Sequence, residues 1–188
     1  MTRPSGEFCP PDLLGQAIEI ARADGADGAQ AVAALITRYP RDPNLHFLLG
    51  SLLAGLQRYP EARQAMAKAL DINPNYALAR FQLGLLELTC ADVAASEATL
   101  SPLNELASDD PLRLFAGGLR RLAHDQLTDA ARLLKQGIAL NTDNPPLNAD
   151  MQLIVDAIEQ GGPKAGGGDP ISATHLLLQQ YSNRPTQH

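Results

Sequence analysis

Side chains that could carry catalysis or bind a metal are few in this sequence and lie far apart. None of the four histidines belongs to a metal-ligand or nucleophile motif. Cys90 has no histidine or basic cluster beside it in the sequence to activate its thiol. The glycine clusters at 161–162 and 166–168 lack the flanking residues of a phosphate-binding loop. We therefore expect neither an enzyme nor a bound cofactor or metal.

Aromatic side chains, in contrast, follow a fixed spacing. Phe47, Phe81 and Phe115 are three of the four phenylalanines in the chain, and one constant interval separates them, a period of about 34 residues. Leu13 occupies the same position one period earlier. Such a row can supply the apolar anchors of a binding surface. It can equally be internal packing, because an apolar stripe at helical spacing is usually core.

Small residues repeat with the same period as the phenylalanines. They indicate that helical hairpins carry the row of phenylalanines. The glycines Gly50, Gly84 and Gly118 are one period apart, and at the same spacing come Ala62, Ser96 and Ala130. A fixed period in the range of roughly 20–50 residues is typical of stacked repeats. Small residues on two neighbouring helices allow close contact, so each glycine is expected to mark the crossing of a helical hairpin.

Apolar residues at helical spacing, together with the positions of the prolines, predict two helices in each repeat. Asp42 and Asp110 are expected to cap helices that open with proline, and Pro74 to follow the end of one. After Asn144, a single helix with an apolar stripe is expected to cap the array. The helices are predicted at 11–23, 27–39, 43–57, 60–72, 77–89, 93–107, 111–124, 128–140 and from Pro145 to about Gly161.

The pattern resembles the tetratricopeptide repeat family. The best repeat matches through His46, Leu49-Gly50, Ala62, Met66 and Pro74, with His46 at the position of a packed aromatic. The resemblance covers roughly residues 11–160 and weakens toward the N-terminus. It implies an all-α fold, a right-handed α-α superhelix (solenoid) of about four helical hairpins plus a C-terminal capping helix.

In this family the first helices of successive hairpins line a concave groove that binds partners. Carried onto this chain, the resemblance places the phenylalanine row in that groove and favours the binding interpretation over internal packing. The charged residues by which some relatives clamp a C-terminal carboxylate are replaced here, for example by Ser51 and Leu112. The predicted partner-binding residues are Leu13, Phe47, Ser51, Phe81, Leu85, Phe115 and Leu119.

Charge and hydropathy narrow the kinds of partner. The chain has 15 basic and 21 acidic residues, a net charge of −6, which is the wrong sign for a phosphate backbone. No stretch approaches the roughly 18 apolar residues of a membrane span. The N-terminal stretch also lacks the apolar run of a signal peptide. We expect a cytoplasmic protein that binds neither nucleic acid nor membranes.

The chain is predicted to have four parts: an N-terminal extension (1–10), the repeat solenoid with its capping helix (11–160), a glycine-rich linker (161–169) and a tail (170–188). In the tail Asp169-Pro170 is expected to start a short amphipathic helix, with Ile171, Leu178 and Tyr181 on one face. This helix is expected to dock on its own solenoid or a neighbour's, or to bind a partner; an inert terminus is the alternative.

The sequence thus predicts an adaptor or scaffold that binds a partner's helix or extended segment in an apolar groove. Two alternatives stay open. A secretion-type chaperone would cradle an unfolded client, although Pro4, Pro10 and Pro11 disfavour the long N-terminal helix by which such chaperones dimerise. A structural spacer would instead use its convex face.

Overall fold

The computed structural model describes residues 8–160, in which the chain forms nine α-helices and no strand. The predicted all-α class is confirmed. The fold divides into two compact units, one ending at Leu86 and the other beginning at Glu87, so the boundary falls within helix α5. The predicted linker 161–169 and tail 170–188 lie outside the described residues.

The first unit contains two helical hairpins and most of α5. Helices α1 and α2 form one hairpin and α3 and α4 the other, with α2 also packed against α3. A core between them consists of Cys9, Ala17, Val32, Tyr39 and Leu45. The helices are α1 (Pro11–Ala23), α2 (Gly25–Arg38), α3 (Pro43–Gly55), α4 (Tyr59–Ile72) and α5 (Ala77–Thr89).

The second unit contains one helical hairpin, made of α7 and α8. The shorter helix α6 precedes this hairpin in the chain, and helix α9 follows it. Helix α7 packs against α8, and α8 packs against α9. The expected stripe of α9 is buried at Leu147, Met151, Ile154 and Val155. The α-helices are α6 (Val93–Leu100), α7 (Pro111–Ala123), α8 (Leu127–Leu140) and α9 (Pro145–Glu159), with a short 3₁₀ helix at Ser101–Glu105.

The predicted hairpin crossings are present at Gly50 and Gly118. A Cβ built on Gly50 would lie 2.6 Å from Met66 Cγ and 3.2 Å from the Ala62 carbonyl oxygen. One built on Gly118 would lie 2.7 Å from Leu134 Cδ2. No larger residue fits at either glycine without movement of its neighbours, so the repeat period of the glycines does mark helix crossings.

Side chains cap the helices as expected. Asp42 accepts the Asn44 N–H at 2.9 Å and Asp110 accepts the Leu112 N–H at 2.8 Å, each just before a proline at the start of its helix. An uncapped helix leaves its first N–H groups without partners. Both predicted caps are therefore confirmed.

The prediction of one long helix over 93–107 was wrong. Helix α6 ends at Leu100 and continues only as the 3₁₀ helix. Pro102 is the cause, because its ring nitrogen cannot donate a hydrogen bond to the preceding turn and its ring clashes there. This proline was the signal in the sequence, and the prediction neglected it.

The first hairpin begins its second helix at Gly25, two residues before the predicted start. The Asp24 carboxylate accepts the N–H groups of Ala26 at 2.7 Å and Asp27 at 3.1 Å, so the helix can start immediately after it. The turn between α1 and α2 is thereby reduced to Asp24 alone.

The three later hairpin turns share an unusual backbone conformation. Gln57, Ala91 and Asp125 have φ values of 59°, 64° and 56°, and they too are one repeat period apart. In each turn the next residue donates its N–H five residues back, as Arg58 does to the Leu53 carbonyl at 2.9 Å. This is the usual way in which a helix ends on a left-handed residue, although glycine is the normal occupant.

Among the helices described, none combines the length and the apolar character needed to cross a membrane.

Candidate partner-binding site

The seven predicted partner-binding residues are divided between the two units. Leu13 lies on α1, Phe47 and Ser51 lie on α3, and Phe81 and Leu85 lie on α5 in the first unit. Phe115 and Leu119 lie on α7 in the second unit.

Four of the seven side chains have almost no accessible surface. Phe81, Phe115 and Leu119 are 0% exposed and Leu85 is 2% exposed. The Phe115 ring occupies a notch in α8: a Cβ built on Gly137 would lie 2.5 Å from its Cε1 atom. Phe115 therefore packs within its own hairpin, which was the alternative interpretation of the phenylalanine row. Contact of these four residues with a partner remains a prediction.

The other three predicted residues retain accessible surface. Leu13, Phe47 and Ser51 are half-buried. The Phe47 ring lies 5.2 Å, centroid to centroid, from the Tyr76 ring at an interplanar angle of 52°. The Ser51 hydroxyl donates to the Phe47 carbonyl oxygen at 3.1 Å, so its hydrogen bond is made within the helix. Ser51 therefore adds little polarity to this surface.

Leu48 follows Phe47 in α3 and was not among the predicted site residues. It is half-buried, and both it and Leu13 pack against the core cluster of the first unit. Its spacing of three residues makes it a neighbour of Ser51 on the helix surface, and it lies about 100° round the axis from Phe47. We call Leu13, Phe47, Leu48 and Ser51 the first-unit row.

A buried carboxylate lies close to Tyr76, the neighbour of Phe47. Asp42 is 2% exposed and accepts the Cys9 N–H at 2.8 Å in addition to capping α3. Burial, and then the charge of Asp42, raise the pKa of the Tyr76 hydroxyl. Burial and Asp42 also raise the pKa of the Cys9 thiol, against a smaller opposing effect of Arg38. Both groups are therefore held more firmly in their neutral forms.

His46 has a structural role in the first unit. The His46 ring is 9% exposed, and its Nε2 atom lies 2.9 Å from the Pro40 carbonyl oxygen, so the expected packed role is confirmed. Within residues 8–160 no three His, Cys, Asp or Glu side chains are grouped as metal ligands.

Two charged residues are less exposed than a charge on a helix surface usually is. Glu87 is only 6% exposed. Arg120 donates from Nε to Glu97 Oε2 at 2.6 Å and so connects α7 to α6. The neighbouring Arg121 is exposed. Helical position alone could not reveal the Arg120 contact, because its acceptor lies 23 residues away.

Comparison with known proteins identifies the repeats. The model of the tetratricopeptide repeat family matches residues 18–77. Two solved structures are similar over nearly the whole chain, each at 14% sequence identity: MamA 41-end from Desulfovibrio magneticus RS-1, with a TM-score of 0.61 and coverage of 96% of this chain and 93% of that one, and the MamA RS-1 ArsTM double mutant, with a TM-score of 0.60 and coverage of 96% and 97%. No curated protein sequence matches.

At this identity the likeness to the two structures shows the fold alone, a helical solenoid built from hairpins. The glycine crossings at Gly50 and Gly118 agree with it. Residues 18–77 match the tetratricopeptide repeat family, which confirms for this range the resemblance found in the sequence.

Proposed function

We propose that this chain is a non-enzymatic adaptor that binds an apolar helix or extended segment of another protein along the first-unit row. Its tetratricopeptide repeats support a general role as a protein-interaction scaffold. The observation that carries the proposal is that Leu13, Phe47 and Leu48 keep accessible apolar surface on the first helices of two successive hairpins.

Phe47 is the expected anchor of this surface. Aromatic side chains that fill a desolvated pocket contribute most to binding at protein interfaces. Because the Phe47 ring already rests against Tyr76, ordering it on binding costs less conformational entropy than ordering a free ring. A helix in a groove or an extended segment can use such a row through its regularly spaced apolar residues.

The net charge of −6 supports a protein partner over a nucleic acid, and favours one whose flanking residues are basic. Opposite charge accelerates encounter more than it strengthens the final complex. We accordingly expect association to slow as the ionic strength rises, while the apolar contacts hold the complex together.

The proposal can be tested by crosslinking from chosen positions. A photoreactive amino acid at position 47 should form a discrete adduct with a protein from an extract of the source cells. The same amino acid at Leu140, which is 49% exposed on α8 in the second unit, provides the control for a surface apolar position. The adduct formed at position 47 is then identified by mass spectrometry.

An adduct at position 47 that is lost in a Leu48→Asp background, with the helical circular dichroism unchanged, would support the proposal. Adducts of the same kind and yield from positions 47 and 140 would overturn it, since binding would then show no preference for the row.

A further inference from the structure

Helix α9 begins where the repeat places the first helix of a hairpin. Its Pro145 lies one repeat period after Pro111, the first residue of α7. The residue one period after Gly118, which faces α8, is Gln152 on α9. Helices α1, α3 and α7 each pack against the helix that follows them, whereas α9 is the last helix of residues 8–160. The repeat therefore predicts a second helix after α9, beyond residue 160.

The side of α9 that faces away from its buried stripe is apolar and exposed. Ala149 and Leu153 lie one turn apart on this side, at least about 100° round the axis from each of the four buried residues of the helix. Both are exposed, Leu153 at 44%. Pro146 and Ala157 continue the side toward the two ends of the helix. We call Pro146, Ala149, Leu153 and Ala157 the outer side of α9.

The equivalent side of α7 is covered by the second helix of its hairpin. One repeat period before Ala149 and Leu153 come Phe115 and Leu119, and both are 0% exposed. The Phe115 ring packs on α8 at Gly137. Because a repeat cannot bury its apolar faces alone, an exposed leucine where the preceding repeat buries one indicates that a further element completes the hairpin of α9.

We propose that residues 170–181 of this chain form this second helix and cover the outer side of α9. Twelve helical residues span about 18 Å, and the outer side from Pro146 to Ala157 has the same length. The segment therefore matches the outer side in length and in character. Its residues that recur at helical spacing and form one face are Ile171, Thr174, His175, Leu178 and Tyr181.

The connection brings the segment back to α9. Glycine and proline disfavour a helix over residues 161–169, so the second helix begins later in the repeat than α8 does. These nine residues average about 17 Å from end to end, which exceeds the roughly 8–10 Å between the axes of packed helices. The segment then runs antiparallel to α9, with Ile171 near Ala157 and Tyr181 near Pro146.

Charge favours the same arrangement. Helix α9 contains three acidic residues and no basic one. Residues 161–188 contain Lys164, Arg184 and Asp169, a net charge of +1. Opposite net charges attract the segment to this helix and not away from it. The inference does not depend on the proposed partner binding along the first-unit row.

The chain contains no tryptophan, so a single indole reports its own surroundings. We would compare full-length chains carrying Tyr181→Trp or Leu178→Trp, on the proposed inner face, with Gln180→Trp on the opposite face. The expected result is a blue-shifted emission and several-fold weaker acrylamide quenching for the two inner positions, independent of protein concentration. Equal quenching at all three positions would overturn the proposal. Protection that grows with protein concentration would also overturn it, because the segment would then dock on a second copy.

The location is tested in the Tyr181→Trp chain. Leu153→Asp places a carboxylate on the outer side and should raise the quenching several-fold, to that of the Gln180→Trp chain. The matched control is Ile20→Asp, at a residue that is 43% exposed on α1 in the first unit, and it should leave the quenching unchanged.

Ala149→Lys tests the outer side at a second position, with Ala67→Lys at an exposed position of α4 as its control. All four residues are exposed, so we expect each variant to keep its helical circular dichroism. An indole that stays protected in both α9 variants, or that the two controls expose equally, would contradict docking on α9. No partner enters these experiments, so their outcome is independent of the crosslinking test.

Discussion

Single small residues determine how closely the helices of each hairpin approach. Gly28 is the clearest case: a Cβ placed on it would lie 2.4 Å from the backbone Cα of Ala21. It stands one repeat period before Ala62 and so belongs to the same frame, although sequence reasoning assigned it no role. In the first hairpin the required glycine lies on the second helix instead of the first.

We expect Gly28→Ala to destabilise the chain by about 2 kcal/mol, since the helix backbone must move to admit the methyl group. The matched control is Gly15→Ala on exposed α1 surface, where a Cβ would meet nothing within 4 Å. That change should stabilise by about 0.5–1 kcal/mol through helix propensity. Urea unfolding measures both, and equal effects would contradict the crossing at Gly28.

The left-handed residues in the hairpin turns allow a second prediction. Ala91 has a φ of 64°, a conformation that costs an L-residue about 1–2 kcal/mol. Ala91→Gly should therefore raise the free energy of unfolding by about 0.5 kcal/mol after the greater unfolded-state entropy of glycine is subtracted. Ala67→Gly, at an exposed position within α4, should lower it by about 1 kcal/mol. Thermal unfolding showing the same sign for both would refute the argument.

The burial of Phe115 could not be predicted from the spacing of the phenylalanines, because it depends on which residue stands opposite the ring. The repeat period correctly placed Phe47, Phe81 and Phe115 at equivalent positions, but it carries no information about what each ring meets. Phe115 fills a notch that exists because residue 137 is glycine, whereas the equivalent residue two periods earlier is Ala69. The burial of Phe115 therefore depends on a residue outside the row.

At the scale of elements, capping and proline positions made most helices predictable. The bounds of α1 and α5 were predicted as they occur, and the other helices start or end within about two residues of the expectation, except α6. Helix α6 failed because Pro102 interrupts a pattern whose apolar periodicity continues beyond it. Periodicity reports which residues face a core, and it does not report whether the backbone can remain helical.

Asp42 connects two elements and should matter more than an ordinary cap. Asp42→Ala removes the acceptor of the Asn44 N–H and leaves the buried Cys9 N–H without its partner, so we expect a loss of about 2–4 kcal/mol. Asp110→Ala removes the same kind of cap from α7, but it leaves no buried N–H group such as that of Cys9 without its partner. It should therefore lower the free energy of unfolding by only about 1 kcal/mol. Equal losses in chemical denaturation would show that the contact to Cys9 contributes nothing.

At the scale of the whole molecule, alkaline pH should weaken the fold. The raised pKa values of Cys9 and Tyr76 mean that the unfolded chain loses these protons more readily than the folded one. The stability linked to each group is present below its unfolded pKa, about 8.5 for Cys and 10 for Tyr, and is lost as pH rises through its folded pKa.

Tyr76→Phe tests this because it keeps the aromatic contact with Phe47 and removes the ionisable hydroxyl. We expect the variant and the original chain to lose similar stability between pH 7 and 9, and the variant to lose less above pH 10. Parallel loss in both chains above pH 10, measured by urea unfolding, would exclude a contribution from Tyr76.

The central claim is that partner binding depends on Phe47 in the first-unit row. With the partner identified by crosslinking, calorimetry should compare the original chain with Phe47→Ala and with Ile20→Ala, an apolar residue that is 43% exposed on α1 outside the row. A buried aromatic anchor contributes at least about 2 kcal/mol, so Phe47→Ala should weaken binding more than about tenfold while Ile20→Ala leaves it nearly unchanged. Affinity that is unchanged in a folded Phe47→Ala chain would contradict the account.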